Sequence, residues 1–321
     1  RLYDPGLGLR MGKKLSDVEV PLFLPDTPEV RSDILDYIAE IEWFDKQLAR
    51  TLAVLEGKGE LDNTLVVVTS DNGMPFPRAK VNLYDWGTRM PLAMRWGAKA
   101  KGGRVVEELV SHVDFAPTFL EAAGVKVPEG VAGRSLLGLL EGRSEPRERV
   151  FTSMERHTMC RPDGSTYPMR AIRTREWLYI RNYAPERWPT GGQFLSSNRT
   201  THGDIDGAPT KDVLLAGDAR GKYPEQVRLC LDRRPAEELY DLRADAAQLR
   251  NVAGEKKDVA ERLRGELEAY LKETGDPRQR GEDPWQGYVY HQTTGFGASF
   301  NKSLPEDVRK AAREAPQHKP E

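Results

Sequence analysis

The sequence predicts an α/β fold with an open sheet in its first half, followed by a smaller α+β subdomain. A long helical pattern covers residues 28–57, and a continuous apolar strand follows it at Leu65–Thr69. Strand and helix signals then alternate up to residue 154, which is typical of an α/β sheet. Later segments favour antiparallel strands and one helix. We therefore expect three parts: an α/β portion at residues 1–160, a small α+β subdomain at 161–275, and an extended polar tail at 276–321.

The first predicted element is the long helix. Thr27 before Pro28 indicates a helix start, because threonine caps free amide groups and proline suits the first turn. Gly57 and Gly59 favour its end. Between them, apolar residues recur at steps of three and four, which predicts one buried face. That face consists of Val30, Ile34, Ile38, Ile41, Phe44, Leu48, Leu52 and Leu55.

The strands of the first half come next. Leu65–Thr69 is apolar or β-branched throughout, as expected for a strand in a parallel sheet that is covered on both faces. Pro91–Trp96 and Arg149–Met154 are predicted as further strands of this part. Between them, Asp114 is predicted to cap a helix that runs through Ala123.

The second half has a different pattern. Met169–Tyr183 alternates polar and apolar residues like a strand, and Glu237–Leu242 is predicted as another. The intervening residues 184–235 are rich in Gly, Pro and Arg, which predicts long surface loops. The last predicted helix carries its apolar residues at helical spacing, at Val259, Leu263, Leu267 and Leu271.

Composition and charge exclude several classes of function. The 321 residues carry a net charge of −2, so no overall field would attract nucleic acid or an anionic membrane. The sequence has no apolar run of about 18 residues, so no membrane span is predicted. Two cysteines give neither a disulfide framework nor a zinc site. The first residues lack a signal-peptide core and do not begin with Met, so we expect the later part of a longer protein.

Polar residues stand directly after the apolar strand at Leu65–Thr69. Asp71 and Asn72 lie where ligands bind in open α/β sheets, beyond the carboxyl end of a strand. Their oxygen atoms suit Ca²⁺ or Mg²⁺ better than zinc, and Gly73 permits a sharp turn. The alternative is an ordinary strand-end turn, in which Asp and Asn side chains bond their own backbone.

The segment that follows carries the pattern K-x3-Y-D-x-G-x-R-x-P, formed by Lys80, Tyr84, Asp85, Gly87, Arg89 and Pro91. Together with Ser70-Asp71-Asn72-Gly73, it resembles the sulfatase family of the alkaline phosphatase superfamily. The D-x-x-P-T sequence at Asp114–Thr118 and the E-L-Y-D-L sequence at Glu238–Leu242 are similar to further family motifs. The resemblance implies an alkaline phosphatase-like sheet with helices on both faces, whose N-terminal part is missing from this chain.

The resemblance also implies roles for individual residues. Asp71 and Asn72 would be two ligands of the active-site divalent cation, Ca²⁺ or Mg²⁺. Lys80 would act in catalysis by binding a sulfate oxygen. A cation and a lysine around the sulfate group would stabilise the charge that develops as its ester bond breaks. Asp85 and Arg89 are expected to shape the loop as an ion pair.

A narrower resemblance concerns the substrate. The sequences at Pro75–Pro77, Asn82–Tyr84 and Tyr167–Arg170 look like the heparan N-sulfatase (N-sulfoglucosamine sulfohydrolase) branch of the family, which removes N-linked sulfate from glucosamine. The branch implies a sulfated sugar substrate and a role in glycosaminoglycan degradation. The arginine-rich segment Arg156–Arg187 would suit the rim of a site for an acidic sugar, or form a solvated face. The predicted sugar contacts are Lys80, Glu155, Arg156, His157 and Arg170.

The family's nucleophile is absent from this sequence. Sulfatases use a formylglycine made within C/S-x-P-x-R, whereas Cys160–Gly164 has Gly in place of Arg and follows the S-D-N-G motif instead of preceding it. We therefore expect the formylglycine and the remaining metal ligands in an N-terminal part outside this chain. The family also implies a secreted, periplasmic or lysosomal location.

Two alternatives stay open. One is a phosphatase or phosphodiesterase of the same superfamily, which would need extra histidine ligands; the five histidines show no paired spacing, which disfavours it. The other is a catalytically incomplete chain that binds a glycan or a partner. The sequence does not predict the exact glycan, whether the cleaved bond is an O-sulfate or an N-sulfate, or the oligomeric state.

Overall fold

The computed structural model describes residues 4–97, 99–143, 146–158, 160–161, 165–193, 201–285 and 306. Its helices are α1 (Leu7–Arg10), α2 (Pro28–Gly57), α3 (Asp85–Thr88), α4 (Phe115–Ala122), α5 (Leu137–Leu140), α6 (Pro209–Leu215), α7 (Ala219–Lys222), α8 (Pro224–Leu231) and α9 (Lys257–Glu273). Its strands are β1 (Val66–Thr69), β2 (Leu92–Arg95), β3 (Arg149–Met154), β4 (Met169–Thr174), β5 (Trp177–Asn182) and β6 (Glu237–Asp241). Turns of 3-10 helix lie at Leu15–Asp17, His112–Asp114 and Pro277–Arg280.

The long helix α2 begins and ends where the sequence predicts. Thr27 Oγ1 accepts a hydrogen bond from the Val30 amide at 3.3 Å, which caps the helix. The predicted apolar face is buried only near the start of the helix: Val30 is fully buried, whereas Ile41 and Phe44 are 47% and 49% exposed. Trp43 is 60% exposed. The second half of α2 therefore presents apolar side chains to solvent.

Two buried carboxylates on α2 fasten it to distant segments. Asp36 accepts hydrogen bonds from the amides of Gly6 and Gly8, each at 2.8 Å. Asp33 accepts bonds from the Thr210 amide at 3.1 Å and from the Thr210 hydroxyl at 2.5 Å. Because a buried carboxylate is stable only when its oxygens are bonded, these contacts fix α2 against α1 and against the first turn of α6.

The pairing of β1 differs from the prediction. We expected a parallel sheet, but within the described residues β1 pairs antiparallel with β2, with Val66 opposite Arg95 and Thr69 opposite Leu92. The reason is that the chain between the two strands folds back on itself, and Thr69 Oγ1 donates to the Pro91 carbonyl at 2.8 Å. The strand still ends where predicted, directly before the polar motif.

A four-stranded antiparallel sheet in the order β3-β4-β5-β6 forms the second half. One face clusters with α9, where Ile172, Tyr179 and Leu239 meet Leu263 and Leu267. The antiparallel strands and the helix are as predicted for the C-terminal subdomain. However, β3 was assigned to the first part and pairs with β4 instead. The predicted boundary at residue 160 therefore falls inside this sheet.

The opposite face of the same sheet covers the loop after β1. Ala171 and Ile180 from the sheet form a buried cluster with Leu83 and Tyr84 from that loop. The antiparallel sheet is thus a middle layer, with α9 on one side and the polar-motif loop on the other. This arrangement makes the loop part of the C-terminal core.

In the segment 184–235, the described residues 184–193 and 201–235 are not the long surface loops that their composition predicts. They include α6, α7 and α8, and Leu214 is buried in a common cluster with Phe23 from near the start of the chain. The prolines misled the prediction because Pro209 and Pro224 occupy the first turns of helices, where proline is favoured.

The predicted polar tail is described only at residues 276–285 and 306, so the rest of that prediction lies outside the described residues. In its visible part, the 3-10 turn at Pro277–Arg280 begins with Asp276, whose side chain accepts a bond from the Arg278 amide at 2.8 Å. None of the helices in the described chain combines the length and the apolarity that crossing a membrane requires.

We expect the isolated 321-residue chain to self-associate, because exposed apolar residues on α2 favour association in water. Replacing Trp43 and Phe44 by Glu should reduce the association without lowering the melting temperature, since neither side chain is buried. Light scattering coupled to size exclusion measures the change. Lys46→Glu, at a neighbouring exposed position, alters charge without removing apolar surface and should leave association nearly unchanged. A monomeric wild type with a sharp, reversible melting transition contradicts this prediction.

Candidate functional site

The chain turns at the polar motif that follows β1. Ser70 Oγ donates to the Asn72 carbonyl at 2.8 Å, and Asn72 Nδ2 donates to the Gly73 carbonyl at 3.0 Å. These are the local bonds of a strand-end turn. They leave Asn72 Oδ1 and the exposed Asp71 carboxylate without a protein donor in the part of the chain that the structure describes. Two adjacent oxygen ligands therefore remain available.

These two residues fit part of the shell of a hard cation. Ca²⁺ takes about six to eight oxygen ligands, and Asp71 and Asn72 would supply two side chains. Over the described ranges, no group of three or more His, Cys, Asp or Glu side chains is placed to hold a metal ion. The ligand roles of Asp71 and Asn72 stay a prediction, and the other ligands would have to come from elsewhere.

Gly73 packs directly against Gly87 and so joins the two sequence motifs. The Gly73 amide donates to the Gly87 carbonyl at 3.1 Å. A Cβ at Gly73 would lie 2.0 Å from the Trp86 carbonyl oxygen, and a Cβ at Gly87 would lie 2.3 Å from the carbonyl oxygens of Ala79 and Asn82. Neither position has room for a side chain, which accounts for glycine in both motifs.

The loop between these glycines is held by Arg78. Its backbone has a φ of +62°, which is uncommon for a residue other than glycine. Its buried guanidinium donates to the carbonyls of Leu229 and Gln248 at 3.1 and 2.5 Å, and it lies 3.8 Å from the centre of the Tyr84 ring. The loop is thereby attached to α8 and to the segment after β6.

Glu238 completes a buried cluster around this arginine. Its Oε2 accepts hydrogen bonds from the hydroxyls of Tyr84 and Tyr240 at 2.7 and 2.6 Å. Arg234 lies over the Tyr84 ring and donates to Asn82 Oδ1. Burial raises the pKa of Tyr84, so its phenol stays a neutral donor. We call this group the Arg78 cluster: Arg78, Tyr84, Arg234, Glu238 and Tyr240.

Lys80, the predicted sulfate ligand, lies close to the polar motif. Its amide donates to the Met74 carbonyl at 3.1 Å, which places its backbone within about 10 Å of Asn72, given the reach of two residues. Lys80 Nζ is 3.2 Å from Asp206 Oδ2, and both side chains are about one-quarter exposed. The structure therefore gathers Asp71, Asn72 and Lys80 on one short loop.

Asp85 has a different partner from the predicted one. Its carboxylate bonds Arg173 on β4, with Nε and Nη2 at 3.3 and 3.0 Å, and its amide donates to Gln248 Oε1 at 2.9 Å. The expected ion pair with Arg89 is wrong, and Arg89 is exposed. Asp85 connects the second motif to the antiparallel sheet.

Two predicted sugar contacts, Glu155 and Arg170, bind each other. Arg170 Nη2 is 2.6 Å from Glu155 Oε1, and Arg170 Nε is 2.7 Å from Asp276 Oδ2. Arg278 bonds the other Glu155 oxygen at 2.5 Å. Arg170 is only 4% exposed. This network attaches the end of β3 to the chain after α9, and substrate contacts by Glu155 or Arg170 stay a prediction.

A narrow cleft beside Val81 collects the remaining predicted contacts. Its lining includes Glu155, Arg156, His157, Arg161, Tyr167 and Asp204. Asp204 Oδ1 lies 3.6 Å from His157 Nδ1, and Asp204 Oδ2 lies 2.9 Å from Arg161 Nη2. Burial alone would raise the pKa of Asp204, but the nearby imidazole of His157 and the charge of Arg161 lower it below its ordinary value. Asp204 is therefore ionised at neutral pH.

The cleft has spare donors instead of spare acceptors. Arg161 Nη1 and the Tyr167 hydroxyl are buried and have no hydrogen-bond partner among the described residues. The two carboxylates of the cleft, Glu155 and Asp204, are already bonded to arginines. Buried polar groups are normally satisfied, so Arg161 and Tyr167 are candidate donors to a ligand oxygen, which could enter only if the lining side chains moved apart.

Cys160 is not a nucleophile in this structure. It is fully buried, and burial followed by the negative charge of Asp204 raises the pKa of its thiol to about 12. A thiol that stays protonated at neutral pH is a poor nucleophile. This agrees with the sequence-based rejection of the C-x-P match, of which Pro162–Gly164 lie outside the described residues.

Sequence reasoning missed Asp204 and Asp206, and it included Arg161 and Tyr167 only within the arginine-rich segment and the Tyr167–Arg170 motif. The two aspartates lie in the segment that composition assigned to surface loops, and each contacts a residue far away in sequence. The available signal was weak: two acidic residues flank Ile205 in an arginine-rich half of the chain.

Solved structures with a similar fold define the class of protein. A protein crystallised with its substrate D-glucosamine-2-N,6-O-disulfate is 26% identical, with a TM-score of 0.52 that covers 79% of this chain and 42% of that chain. A 2-O GAG sulfatase is 19% identical, with a TM-score of 0.55 over 84% of this chain and 52% of that chain. The chain thus has the predicted α/β class, an alkaline phosphatase-like fold.

Family models and curated relatives narrow the class further. A model described as "Sulfatase" matches residues 17–125, and one described as "N-sulphoglucosamine sulphohydrolase, C-terminal" matches residues 79–189. An ulvan-active sulfatase from Formosa agariphila is 33% identical over 260 residues, 80% of this chain and 41% of the relative. Human N-sulphoglucosamine sulphohydrolase is 32% identical over 279 residues, 81% of this chain and 52% of the relative. The chain belongs to the sulfatase family, and it spans about half the length of these relatives.

Gly73→Ala should destabilise the fold by about 1–3 kcal/mol, because the new Cβ would overlap the Trp86 carbonyl and must push the second motif away. Urea unfolding measures the change. Gly217→Ala is the matched control, since no atom lies within 4 Å of its added Cβ. Equal stabilities for the two variants would show that Gly73 does not join the motifs.

Because His202 is buried, we expect the folded protein to lose stability in mild acid. His202 Nδ1 lies 2.7 Å from Thr190 Oγ1, and burial with the nearby charge of Lys211 lowers the pKa of His202 from 6.5 to about 4. Between these values the unfolded chain binds a proton that the folded chain does not. Stability should therefore fall by up to about 3 kcal/mol as the pH drops from 6.5 to 4.

The test is chemical denaturation at several pH values. His202→Gln should flatten the dependence between pH 6.5 and 4, while His112→Gln, at an exposed position, should leave it as in the wild type. An unchanged slope in His202→Gln would assign the acid sensitivity to other groups.

Proposed function

We propose that this chain supplies one wall of the catalytic site of a sulfatase that releases sulfate from a sulfated sugar. The observation that carries the proposal is the grouping of Lys80 with the unbonded oxygens of Asp71 and Asn72 on one loop, which the Arg78 cluster holds in place. The Lys80 ammonium suits an oxyanion. The side-chain oxygens of Asp71 and Asn72, which accept no hydrogen bond from the described residues, suit a divalent metal ion.

Each residue has a defined part in this proposal. Lys80 would donate to a sulfate oxygen and orient the ester. Asp71 and Asn72 would hold Ca²⁺ or Mg²⁺, which when bound would polarise the sulfate group and stabilise its developing charge. The nucleophile would be a formylglycine in an N-terminal part outside this chain, together with the remaining metal ligands.

We favour an N-sulfoglucosamine or heparan-type glycan as substrate. The model described by N-sulphoglucosamine sulphohydrolase matches residues 79–189, which include Lys80 and most of the cleft residues. The spare donors of Arg161 and Tyr167 suit the oxygens of an acidic sugar, and His157 and Arg156 stand at the same cleft. By family, we also propose a secreted, periplasmic or lysosomal location.

A second candidate is glycan binding without catalysis by the chain alone. The described residues provide the cleft and the two proposed metal ligands, yet no group of three or more His, Cys, Asp or Glu side chains that could hold a metal ion. This candidate predicts that the 321-residue chain binds a sulfated sugar but does not hydrolyse it. That result would not test the first proposal, which concerns a version that also carries the proposed N-terminal part.

The deciding experiment compares sulfate release from N-sulfoglucosamine by the 321-residue chain and by a version that carries the proposed N-terminal part. We expect release from the longer version only, its loss on chelation of divalent metal, and its recovery with Ca²⁺. Lys80→Ala should lower kcat/KM about 10²-fold, and Asp71→Ala should weaken Ca²⁺ binding in a calorimetric titration.

Lys46→Ala, an exposed lysine on α2, is the matched control and should keep full activity. If the longer version releases no sulfate from either N-sulfated or O-sulfated sugars, the proposal is wrong.

A further inference from the structure

Asp206 stands beside the catalytic lysine of the proposed site. Its Oδ2 lies 3.2 Å from Lys80 Nζ, although the two residues are 126 positions apart. We propose that Asp206 is a positioning residue, which fixes the Lys80 ammonium where a sulfate oxygen will bind. The inference rests on the proposed function of Lys80, and it adds a residue to that site.

The segment that carries Asp206 is rigidly held. The buried Lys211 donates to the carbonyls of His202 and Ile205 at 3.0 and 2.9 Å. On the other side of Asp206, Thr210 is bonded to the buried Asp33 of α2. Fixed contacts on both sides leave the Asp206 carboxylate little freedom to move.

The segment that carries Lys80 is also held. The Lys80 carbonyl accepts a hydrogen bond from Asn82 Nδ2 at 2.8 Å, and Arg78 anchors the chain two residues earlier. The lysine side chain itself has a flexible four-carbon stem, whose ordering costs conformational entropy. A contact with a fixed carboxylate orders this stem before the substrate arrives.

The geometry favours positioning over inhibition. An ammonium group has three donors, so one bond to Asp206 leaves two for sulfate oxygens. The carboxylate also interacts electrostatically with Lys211. Because Lys211 also interacts with Asp204 and Asp212, it is the two remaining donors of Lys80 that would bind the anionic ester.

A double-mutant cycle tests this role in the version that carries the proposed N-terminal part. Asp206→Asn should lower kcat/KM at least about tenfold, chiefly through kcat, with Asp206→Glu restoring part of the loss. In the Lys80→Ala background, Asp206→Asn should cause no further loss, because a residue that acts through Lys80 has nothing left to position. Losses that multiply in the double variant, or a kcat/KM that is unchanged or raised in Asp206→Asn, would overturn the proposal.

A second measurement does not depend on activity. Acetylation of lysines in the 321-residue chain, followed by mass spectrometry, should show Lys80 about two- to fivefold more reactive in Asp206→Asn, since a partly exposed ion pair protects the ammonium group only weakly. Asp218→Asn is the matched control, because Asp218 pairs with Lys222 at 2.6 Å away from the cleft. It should raise only the reactivity of Lys222.

The two experiments separate the two proposals. If the longer version releases no sulfate but Lys80 becomes more reactive in Asp206→Asn, the proposed function fails while the pairing stands. If sulfate is released and Lys80 reactivity does not change, Asp206 does not hold Lys80 and the inference fails alone.

Discussion

The candidate site depends on the buried guanidinium of Arg78. Within the Arg78 cluster, the Glu238 carboxylate accepts bonds from two tyrosine hydroxyls, Arg78 donates to backbone carbonyls, and both arginines lie over the Tyr84 ring. Removing the guanidinium would take away the donors to buried carbonyls, and each buried group left unsatisfied costs about 1–3 kcal/mol. The interaction is therefore strong enough to hold Arg78 itself at a positive φ, which sets the path of the chain to Lys80 two residues later.

This anchoring explains why the polar-motif loop and the antiparallel sheet form one unit. The sheet packs α9 against one face and Leu83 and Tyr84 against the other. Asp85 extends the connection through Arg173. Because core packing and ion pairs both cross from the loop to the sheet, a disturbance in β4 or β6 would reach the proposed sulfate ligand. The C-terminal subdomain thus positions the site residues as well as covering them.

The local features were predictable from sequence, and the long-range ones were not. Thr27 marked the start of α2, and the end of β1 marked the polar motif, because caps and strand ends leave local patterns. Asp85 and Arg173 lie 88 positions apart, and no spacing rule links them. The antiparallel pairing of β1 was missed for a similar reason, since it depends on the contact of Gly73 with Gly87. Proline-rich composition hid α6, α7 and α8 because proline also starts helices.

Hydrogen-bond satisfaction separates structural from functional groups in this chain. Glu155 was predicted to contact the substrate from its place after a strand, and Arg170 from its motif and segment, yet their charges already bind each other and two further residues. Asp71 and Asn72 Oδ1 remain without a protein donor in the described chain. Because Asp71 is exposed and Asn72 is only partly buried, these oxygens are open to a metal ion, which is the role that we propose for them. The same reasoning favours Lys80, which has one bond to Asp206 and two donors left, over Arg170 as the residue that meets the sulfate group.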